Sequence, residues 1–231
     1  MGAGRNCRKW QSPAFPENVE RMLEDLDTEI ITWNGTANGE EPVYRAVYKG
    51  MPIALFILDV GAPVSVGMLE EVFQMGVQKV VIFGPAAFWQ RLGLLVIIPD
   101  RVLRDEGTSY HYAPPSDEIE VNQKSMKMFT ELLDELHVKY TVGKTWTTDS
   151  FYRETPEKVK RRKAAGCICV DMECSANAAV CDFRGKKLLQ FFYAADNLDA
   201  EEWDSRSLAN HSRMEDKNRI AAIALEAAVR M

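Results

Sequence analysis

Short apolar runs alternate with stretches of helical periodicity along most of this chain, and this alternation restricts the folds that it can adopt. Runs of strand length rich in apolar or β-branched residues occur at 52–60, 79–83, 95–99, 167–170 and 188–193. Apolar residues recur at helical spacing in 65–75, 122–137 and 214–229. Because strands that alternate with helices form a buried sheet covered by helices, the sequence predicts an α/β fold whose sheet is mostly buried, largely parallel or mixed, and flanked by helices.

Cap residues place two further helices. Thr155 followed by Pro156 is typical of the start of a helix, and Gly166 is expected to end that helix before the strand at 167–170. Another helix should begin near Glu173 and end by Gly185.

Two segments, residues 34–41 and 1–16, lie outside this pattern. Residues 34–41 are rich in Gly, Asn and Glu, which predicts a turn or loop. Residues 1–16 are expected to form a flexible N-terminal arm. The length of the rest, residues 17–231, is that of one domain.

The charge distribution argues against binding to nucleic acid. The net charge is −6, and one short basic run occurs at 158–163, which we interpret as a solvated helix face. Proteins that hold nucleic-acid backbones concentrate Lys and Arg far more strongly. We therefore expect no nucleic-acid partner.

Neither the cysteines nor the apolar segments indicate an exported or membrane protein. The 5 cysteines lack C-x-x-C spacing and neighbouring His residues, so neither a zinc site nor a disulfide framework is expected. No segment approaches the ~18 apolar residues of a membrane span, and residues 1–16 lack the apolar stretch of a signal peptide. We expect a cytoplasmic protein that holds no metal and binds no membrane.

Acidic residues follow two of the apolar runs at the point where a strand should end. Asp171-Met172-Glu173 follows the run CICV, and Asp196 follows LLQFFYAA. Ligands of open α/β sheets collect at the carboxyl ends of strands, and a buried carboxylate without a partner is costly. The alternative is structural: Asp171 or Glu173 caps the next helix, and Asp196 forms a turn with Asn197.

Four motifs in the same order carry a resemblance to a known family. VDMECSA at 170–176 resembles the V-[ED]-M-E signature of the nucleoside phosphorylase superfamily, which includes uridine phosphorylases and hexameric purine nucleoside phosphorylases. RDEGTSYHYAP from Arg104 and TWTTDSFYRET from Thr145 are similar to the family's segments after the central strand and at the base pocket. YRAVYKGMPIALFILDVGAP from Tyr44 resembles its early strand pair and small-residue turn. The resemblance therefore runs from about Tyr44 to the C-terminus. It implies that residues 17–231 form one catalytic domain, a single-domain three-layer α/β/α fold with a central mixed sheet.

The resemblance implies a substrate site for a nucleoside. In the family the second acid of the signature, here Glu173, accepts hydrogen bonds from the ribose 2′ and 3′ hydroxyls, and the adjacent Met172 packs against the sugar. Asp171 and Gly84 are expected in the same substrate site. Phe151 matches the aromatic residue that stacks near the base.

Two further roles concern the reaction and the assembly. Asp196 matches the acid that protonates the departing base in the purine branch, a role of general acid catalysis. Arg45 matches the arginine that holds phosphate in the neighbouring subunit's site, which implies a homodimer or a trimer of dimers. The family needs no cofactor, and inorganic phosphate is its co-substrate.

The chain departs from the family where phosphate should bind. Family members carry an Arg-Ile-Gly-Thr stretch at the end of the central strand, whereas this chain reads Ile82-Phe83-Gly84-Pro85. The N-terminal glycine-rich phosphate loop is likewise not recognisable in residues 1–40. Two alternatives to a phosphorylase therefore stay open: a nucleosidase that uses water, and a nucleoside-binding homologue without catalysis.

The residues that read the base also differ. Uridine-specific members place Gln and Arg shortly after the stacking aromatic residue, but this chain has Thr155 and Glu157. Together with Asp196, this favours a purine or a modified nucleoside. Purine members pair that acid with a later arginine, for which Arg206 is an approximate match.

Overall fold

Two β-sheets organise the part of the chain that the structure, a computed structural model, describes: residues 22–23, 25–37, 39–88, 95–196 and 214–231. The first sheet is antiparallel, with the order β1 (Thr28–Thr36), β2 (Gly39–Tyr48), β3 (Met51–Leu55). Residues 1–16, expected to form an arm, lie outside the described residues.

The second sheet has six strands in the order β6-β5-β7-β8-β4-β9. Their bounds are β4 (Lys79–Phe88), β5 (Val96–Asp105), β6 (Glu118–Glu120), β7 (Tyr140–Thr148), β8 (Cys167–Asp171) and β9 (Lys187–Asp196). Strand β5 also pairs with β9, so five of the strands form a closed ring and β6 is appended to it. Parallel and antiparallel pairs both occur, which confirms the expected mixed sheet.

Helices cover this sheet through separate apolar clusters. Their bounds are α1 (Ala62–Gln74), α2 (Met126–Glu135), α3 (Pro156–Ala164), α4 (Cys174–Phe183) and α5 (Met214–Arg230). Helices α1 and α4 share one buried cluster, and α2 and α5 share another. The expected α/β class is therefore confirmed. None of these helices combines the length and the apolar character that spanning a bilayer requires.

The cap residues act as the sequence predicts in helix α3. The Thr155 hydroxyl accepts a hydrogen bond from the Lys158 amide, and Pro156 is the first helical residue. Gly166 follows the helix with φ 87°, a conformation that glycine adopts without steric cost. Local sequence alone was sufficient for these bounds because cap chemistry is local.

The basic run at 158–163 is not wholly the solvated face that the sequence suggested. Lys158 Nζ lies 2.6 Å from the Asp105 carboxylate and Arg162 lies 3.1 Å from it. Both cations also lie over the ring of buried Trp146, whose Nε1 donates to Asp105 as well. Two cations of the run thus anchor α3 to the sheet through a carboxylate that the helical pattern did not reveal.

The turn or loop expected at 34–41 is only partly right, because a turn lies within the segment but most of it is strand. Strand β1 runs to Thr36 and β2 starts at Gly39, with Trp33 paired to Pro42 and Thr36 to Gly39. Most of the residues here are exposed although Asn34 is buried, and the polar composition of the segment occurs within a paired hairpin. The expected strand at 52–60 is also shorter than predicted, because β3 ends at Leu55.

Candidate active site

Strand register brings the ends of several strands together. Strands β7 and β8 are parallel, and Thr147 pairs with Asp171. On the other side of β8, Val170 pairs with Ala87 of β4, and Ala87 also pairs with Asp196 of β9. The backbones of Asp196 and of the residue before Asp171 are therefore separated by two strand spacings, about 10 Å.

Asp171 is buried, and four protein donors form hydrogen bonds to its carboxylate. Its Oδ1 accepts hydrogen bonds from the amides of Glu173 (2.8 Å) and Cys174 (2.7 Å). The hydroxyls of Thr145 and Thr147 donate to the same carboxylate, each at 3.0 Å. Burial raises the pKa of Asp171 to about 6 against the lowering effect of these donors. These contacts are those of a cap for α4, the structural alternative that the sequence left open.

Glu173 occupies the N-cap position of α4 without capping it by its side chain. Its Oε1 instead accepts a 2.7 Å hydrogen bond from the backbone amide of Gly61, the residue before α1. Burial, and next the negative charge of Asp171, raise the pKa of Glu173 to about 7. The N-termini of two helices thus converge on one partly buried carboxylate, which is able to accept further hydrogen bonds when ionised.

Two neighbouring aromatic rings lie on the surface just after β7. Phe151 and Tyr152 begin a short 3-10 helix, and their ring centroids are 4.2 Å apart. Phe151 is 53% exposed and Tyr152 is 87% exposed, so Tyr152 is not part of the core. Because β7 is parallel to β8, Phe151 lies at the same end of the sheet as Glu173. Met172, which stands between Asp171 and Glu173 in the sequence, is half-buried.

Two carboxylates to which the motifs assigned no role hold the loops at the end of the sheet near Glu173. Asp149 accepts a 2.9 Å hydrogen bond from the Gly107 amide and so ties the segment of Phe151 to the loop after β5. Buried Glu106 accepts from the Ser175 hydroxyl of α4, also at 2.9 Å. Both partners are distant in sequence, so no local signal identified them.

The side chains of the alternating pair Thr145 and Thr147 were also missed by sequence reasoning. Both are buried on β7 and both donate to Asp171. Thr147 also accepts from the Ser175 amide at 3.1 Å. Two hydroxyl residues at strand spacing in a run that must be buried are a usable signal, since buried hydroxyls require partners.

Arg45, which the resemblance assigns to phosphate, lies on the first sheet, whereas Gly84 and Pro85 belong to the second. Arg45 is exposed on β2 and pairs with Glu29 at 3.1 Å, and no described contact joins it to Asp171 or Glu173. Gly84 and Pro85 lie within β4, paired with Phe192 and Tyr193 of β9. Among the described residues, no Lys or Arg influences the pKa of either acid.

Residues that could hold a metal are not clustered in the described part of the chain, where no group of three His, Cys, Asp or Glu side chains has a suitable arrangement. Cys167, Cys169, Cys174 and Cys181 are buried thiols. Burial raises the pKa of the Cys181 thiol to about 12, so this thiol stays protonated near neutral pH.

Comparison with known proteins identifies one family over nearly the whole chain. A family model described as the phosphorylase superfamily matches residues 13–230. The uridine phosphorylase of Thermococcus kodakarensis is 31% identical over 145 residues, 61% of this chain and 50% of that enzyme. A DeoD-type purine nucleoside phosphorylase of Colwellia psychrerythraea is 23% identical over 168 residues, 69% of this chain and 70% of that protein. The match therefore spans about half the length of the first relative.

A solved structure extends the likeness to three dimensions. The crystal structure of uridine phosphorylase from Vibrio fischeri ES114 complexed with 6-hydroxy-1-naphthoic acid superposes with a TM-score of 0.80 at 26% sequence identity. The superposition covers 94% of this chain and 89% of that chain.

Proposed function

The chain belongs to the phosphorylase superfamily, and from that premise we propose that it cleaves the bond between a nucleobase and ribose, with inorganic phosphate as the second substrate. The observation that carries this proposal is the position of Glu173. Its carboxylate lies at the carboxyl end of the sheet, is not used to cap α4, and is held by the Gly61 amide. An ionised carboxylate in this position accepts hydrogen bonds from the two hydroxyls of a ribose diol.

The reaction needs a group that assists the departing base. As the C1′–N bond breaks, its electron pair moves to the base, and Asp196 supplies a proton to a ring nitrogen. A phosphate oxygen forms the new bond to C1′, which gives ribose 1-phosphate and the free base. The strand register supports this pairing of roles, because it brings the backbone of Asp196 to the edge that carries Glu173.

We assign the other residues supporting parts. Met172 packs against the sugar, and Phe151 offers a ring face to the base. Asp171 orients Glu173 through the Glu173 amide and does not bind the substrate itself, since protein donors fill its carboxylate. Gly84 allows the substrate to approach β4 without a side chain in the way.

The base is more consistent with a purine or a modified nucleoside than with uridine. The Thr155 hydroxyl is used to cap α3, and the Glu157 side chain is exposed in the first turn of that helix. Neither residue is therefore suited to read the edge of a pyrimidine.

Arg45 acts in the site of a neighbouring subunit in this proposal, so the active unit is at least a homodimer. The exposure of Arg45 on β2 supports this role, because an arginine that serves another subunit must reach outward. Its ion pair with Glu29 is exposed, and an exposed pair of this kind is exchanged for phosphate at little cost.

A second candidate function, hydrolysis of the same bond by water, is favoured by β4. Pro85 has no amide proton to offer an anion, and Ile82 and Phe83 pack against the apolar clusters. Water carries no charge, so it does not require the cations that phosphate requires. Glu173 and Asp196 keep their roles under both candidates.

A panel of nucleosides assayed with and without phosphate tests these candidates. Base release that depends on phosphate, together with ribose 1-phosphate as a product, supports the phosphorylase. Base release without phosphate supports hydrolysis. Calorimetric binding of a nucleoside without turnover under either condition would overturn both, and would identify a binding protein.

A further inference from the structure

Helices α1 and α4 are cross-linked at two levels, one helical turn apart. At the upper level, the Gly61 amide donates to Glu173. At the lower level, the Ser65 hydroxyl donates to Oδ1 of Asn177 at 2.8 Å. The levels are joined along each helix, because the Ser65 amide donates to the Gly61 carbonyl and the Asn177 amide to the Glu173 carbonyl. The four residues form a closed frame.

The lower level continues into the sheet. Nδ2 of Asn177 donates to Oε1 of Gln190 in β9 at 3.2 Å. The Gln190 backbone is held in turn by Asn122, which accepts from the Gln190 amide and donates to its carbonyl. Gln190 belongs to the strand that ends at Asp196. Asn177 therefore connects both helices of the frame with β9, the strand that leads to Asp196, the proposed general acid.

The lower level of the frame is buried in otherwise apolar surroundings. Ser65 and Asn177 are both 0% exposed, and the same two helices pack through apolar residues such as Val66, Leu69 and Val180. Apolar contacts already hold the helices together, but they tolerate small shifts of one helix along the other. A fully satisfied polar pair in a core fixes one register, because any shift leaves buried groups without partners.

We propose that Ser65 and Asn177 are positioning residues that set the place of the Glu173 carboxylate through the register of α1 against α4. The proposal rests on the proposed function, in which Glu173 accepts the hydroxyls of the ribose diol. A shift of α1 moves the Gly61 amide away from Glu173, and the carboxylate then turns away from the diol. Neither residue needs to touch the substrate for this effect.

A substitution of Ser65 tests the role in solution with the full chain. Ser65→Ala removes the hydroxyl that joins the helices, and Ser125→Ala is the matched control. Ser125, the residue before α2, is also 0% exposed. Its hydroxyl makes one buried hydrogen bond, to the Leu188 carbonyl of β9. Both variants therefore lose one hydroxyl and one buried hydrogen bond, but only Ser65 belongs to the frame.

The first readout compares a ribonucleoside with its 2′,3′-dideoxy analogue. For Ser65→Ala we expect kcat/KM to fall about tenfold with the ribonucleoside, since small misplacements of a binding group are costly, and to change less than about twofold with the analogue, which lacks the diol. Ser125→Ala should leave the ratio between the two substrates unchanged. Ser65→Cys, which keeps the size but donates weakly, should lie between Ser65→Ala and the wild type.

The second readout does not require activity. Hydrogen exchange of the Gly61 amide, followed by NMR, should be about tenfold faster in Ser65→Ala than in Ser125→Ala after correction for global stability. Unchanged exchange, or an equal loss of activity on both substrates, overturns the positioning role. If the wild type cleaves no nucleoside, the proposed function fails, and the exchange of the Gly61 amide alone decides whether Ser65 positions Glu173. If Ser65→Ala does not fold, Ser65→Cys is judged by the same two readouts.

Discussion

Gly61 and Glu173 are 112 residues apart in the chain and meet through a 2.7 Å hydrogen bond from backbone amide to carboxylate. Gly61 has φ 108°, which other residues adopt only with strain. This conformation aims the amide at α4 while the Gly61 carbonyl accepts the first hydrogen bond of α1. The Gly61 amide of the small-residue turn is thus the donor that orients Glu173, the second acid of the signature motif.

Glu173→Gln should remove most turnover and leave the fold intact. The Gln side-chain oxygen still accepts from the Gly61 amide, but a neutral amide binds the diol hydroxyls less strongly than a carboxylate. Two charge-assisted hydrogen bonds at about 1.5–3 kcal/mol each predict a loss in kcat/KM of about 100-fold or more. Steady-state kinetics and thermal melting measure both effects. Glu71→Gln, an exposed acid of α1, is the control, and an active Glu173→Gln enzyme would contradict the assigned site.

The pH dependence should show the raised pKa of Glu173. Its pKa of about 7 lies above the ordinary value of 4.5, so the folded protein binds this proton more tightly than the unfolded chain does. The stabilisation is full below about pH 4.5 and is lost as the pH rises through about 7. The raised pKa of Asp171 likewise makes the folded protein less stable as the pH rises.

Activity should move in the opposite direction to stability, because the ionised form of Glu173 accepts the diol hydroxyls. We expect kcat/KM to rise with pH through about 7 while the free energy of unfolding falls over the same interval. Denaturant unfolding of the wild type and Glu173→Gln across this range measures the contribution of Glu173 to stability. A wild type that gains stability relative to Glu173→Gln as pH rises would reverse the predicted sign.

Asp171→Ala should destabilise the protein more than a surface substitution does. It removes the acceptor of two amides and two hydroxyls that are then left buried. Loss of a helix cap together with unpaired buried donors predicts about 2–4 kcal/mol of lost stability. Urea unfolding measures this change, and Asp182→Ala, an exposed acid of α4, is the control. Equal stability of the two variants would show that the buried network around Asp171 contributes little.

The sequence was sufficient for the features that depend on local chemistry. Thr155, Pro156 and Gly166 predicted the bounds of α3 because capping and left-handed conformations are decided within a few residues. The motif at 170–176 identified the strand end that carries Asp171 and Glu173. Periodicity and cap residues together predicted most of the strands and helices after residue 79, but not strands β6 and β7.

Features that depend on distant partners could not be predicted in this way. The segment at 34–41 has the composition of a turn or loop, and only its pairing across the hairpin shows that most of it is strand. Thr147 becomes part of the site because register places it beside Asp171, and Gly61 because α1 packs beside α4. No pattern within one segment contains this information.

Phe151→Ala should weaken binding of the nucleoside, whereas Tyr152→Ala should have a smaller effect. Both rings are exposed, so neither substitution opens a cavity in the core. Stacking on a base predicts a loss of about 1–3 kcal/mol for the ring that contacts the nucleoside, seen as a rise in KM with a smaller change in kcat. Kinetics with one nucleoside distinguish the two variants. If Tyr152→Ala has the larger effect on KM, the neighbouring ring is the one that stacks.

Asp196→Ala should lower kcat for an ordinary purine nucleoside by about 100-fold or more, the range of general acid catalysis. The reason is that the base must otherwise leave as an anion. A purine nucleoside methylated at N7 carries a positive charge on the ring, so its base leaves as a neutral molecule without a proton. The same substitution should therefore have little effect on that substrate. Asp117→Ala, an exposed acid in the loop before β6, is the control. If Asp196→Ala slows both nucleosides equally, the residue holds the base or the fold and is not the proton donor, whereas a selective loss on the unmethylated nucleoside assigns the proton to Asp196.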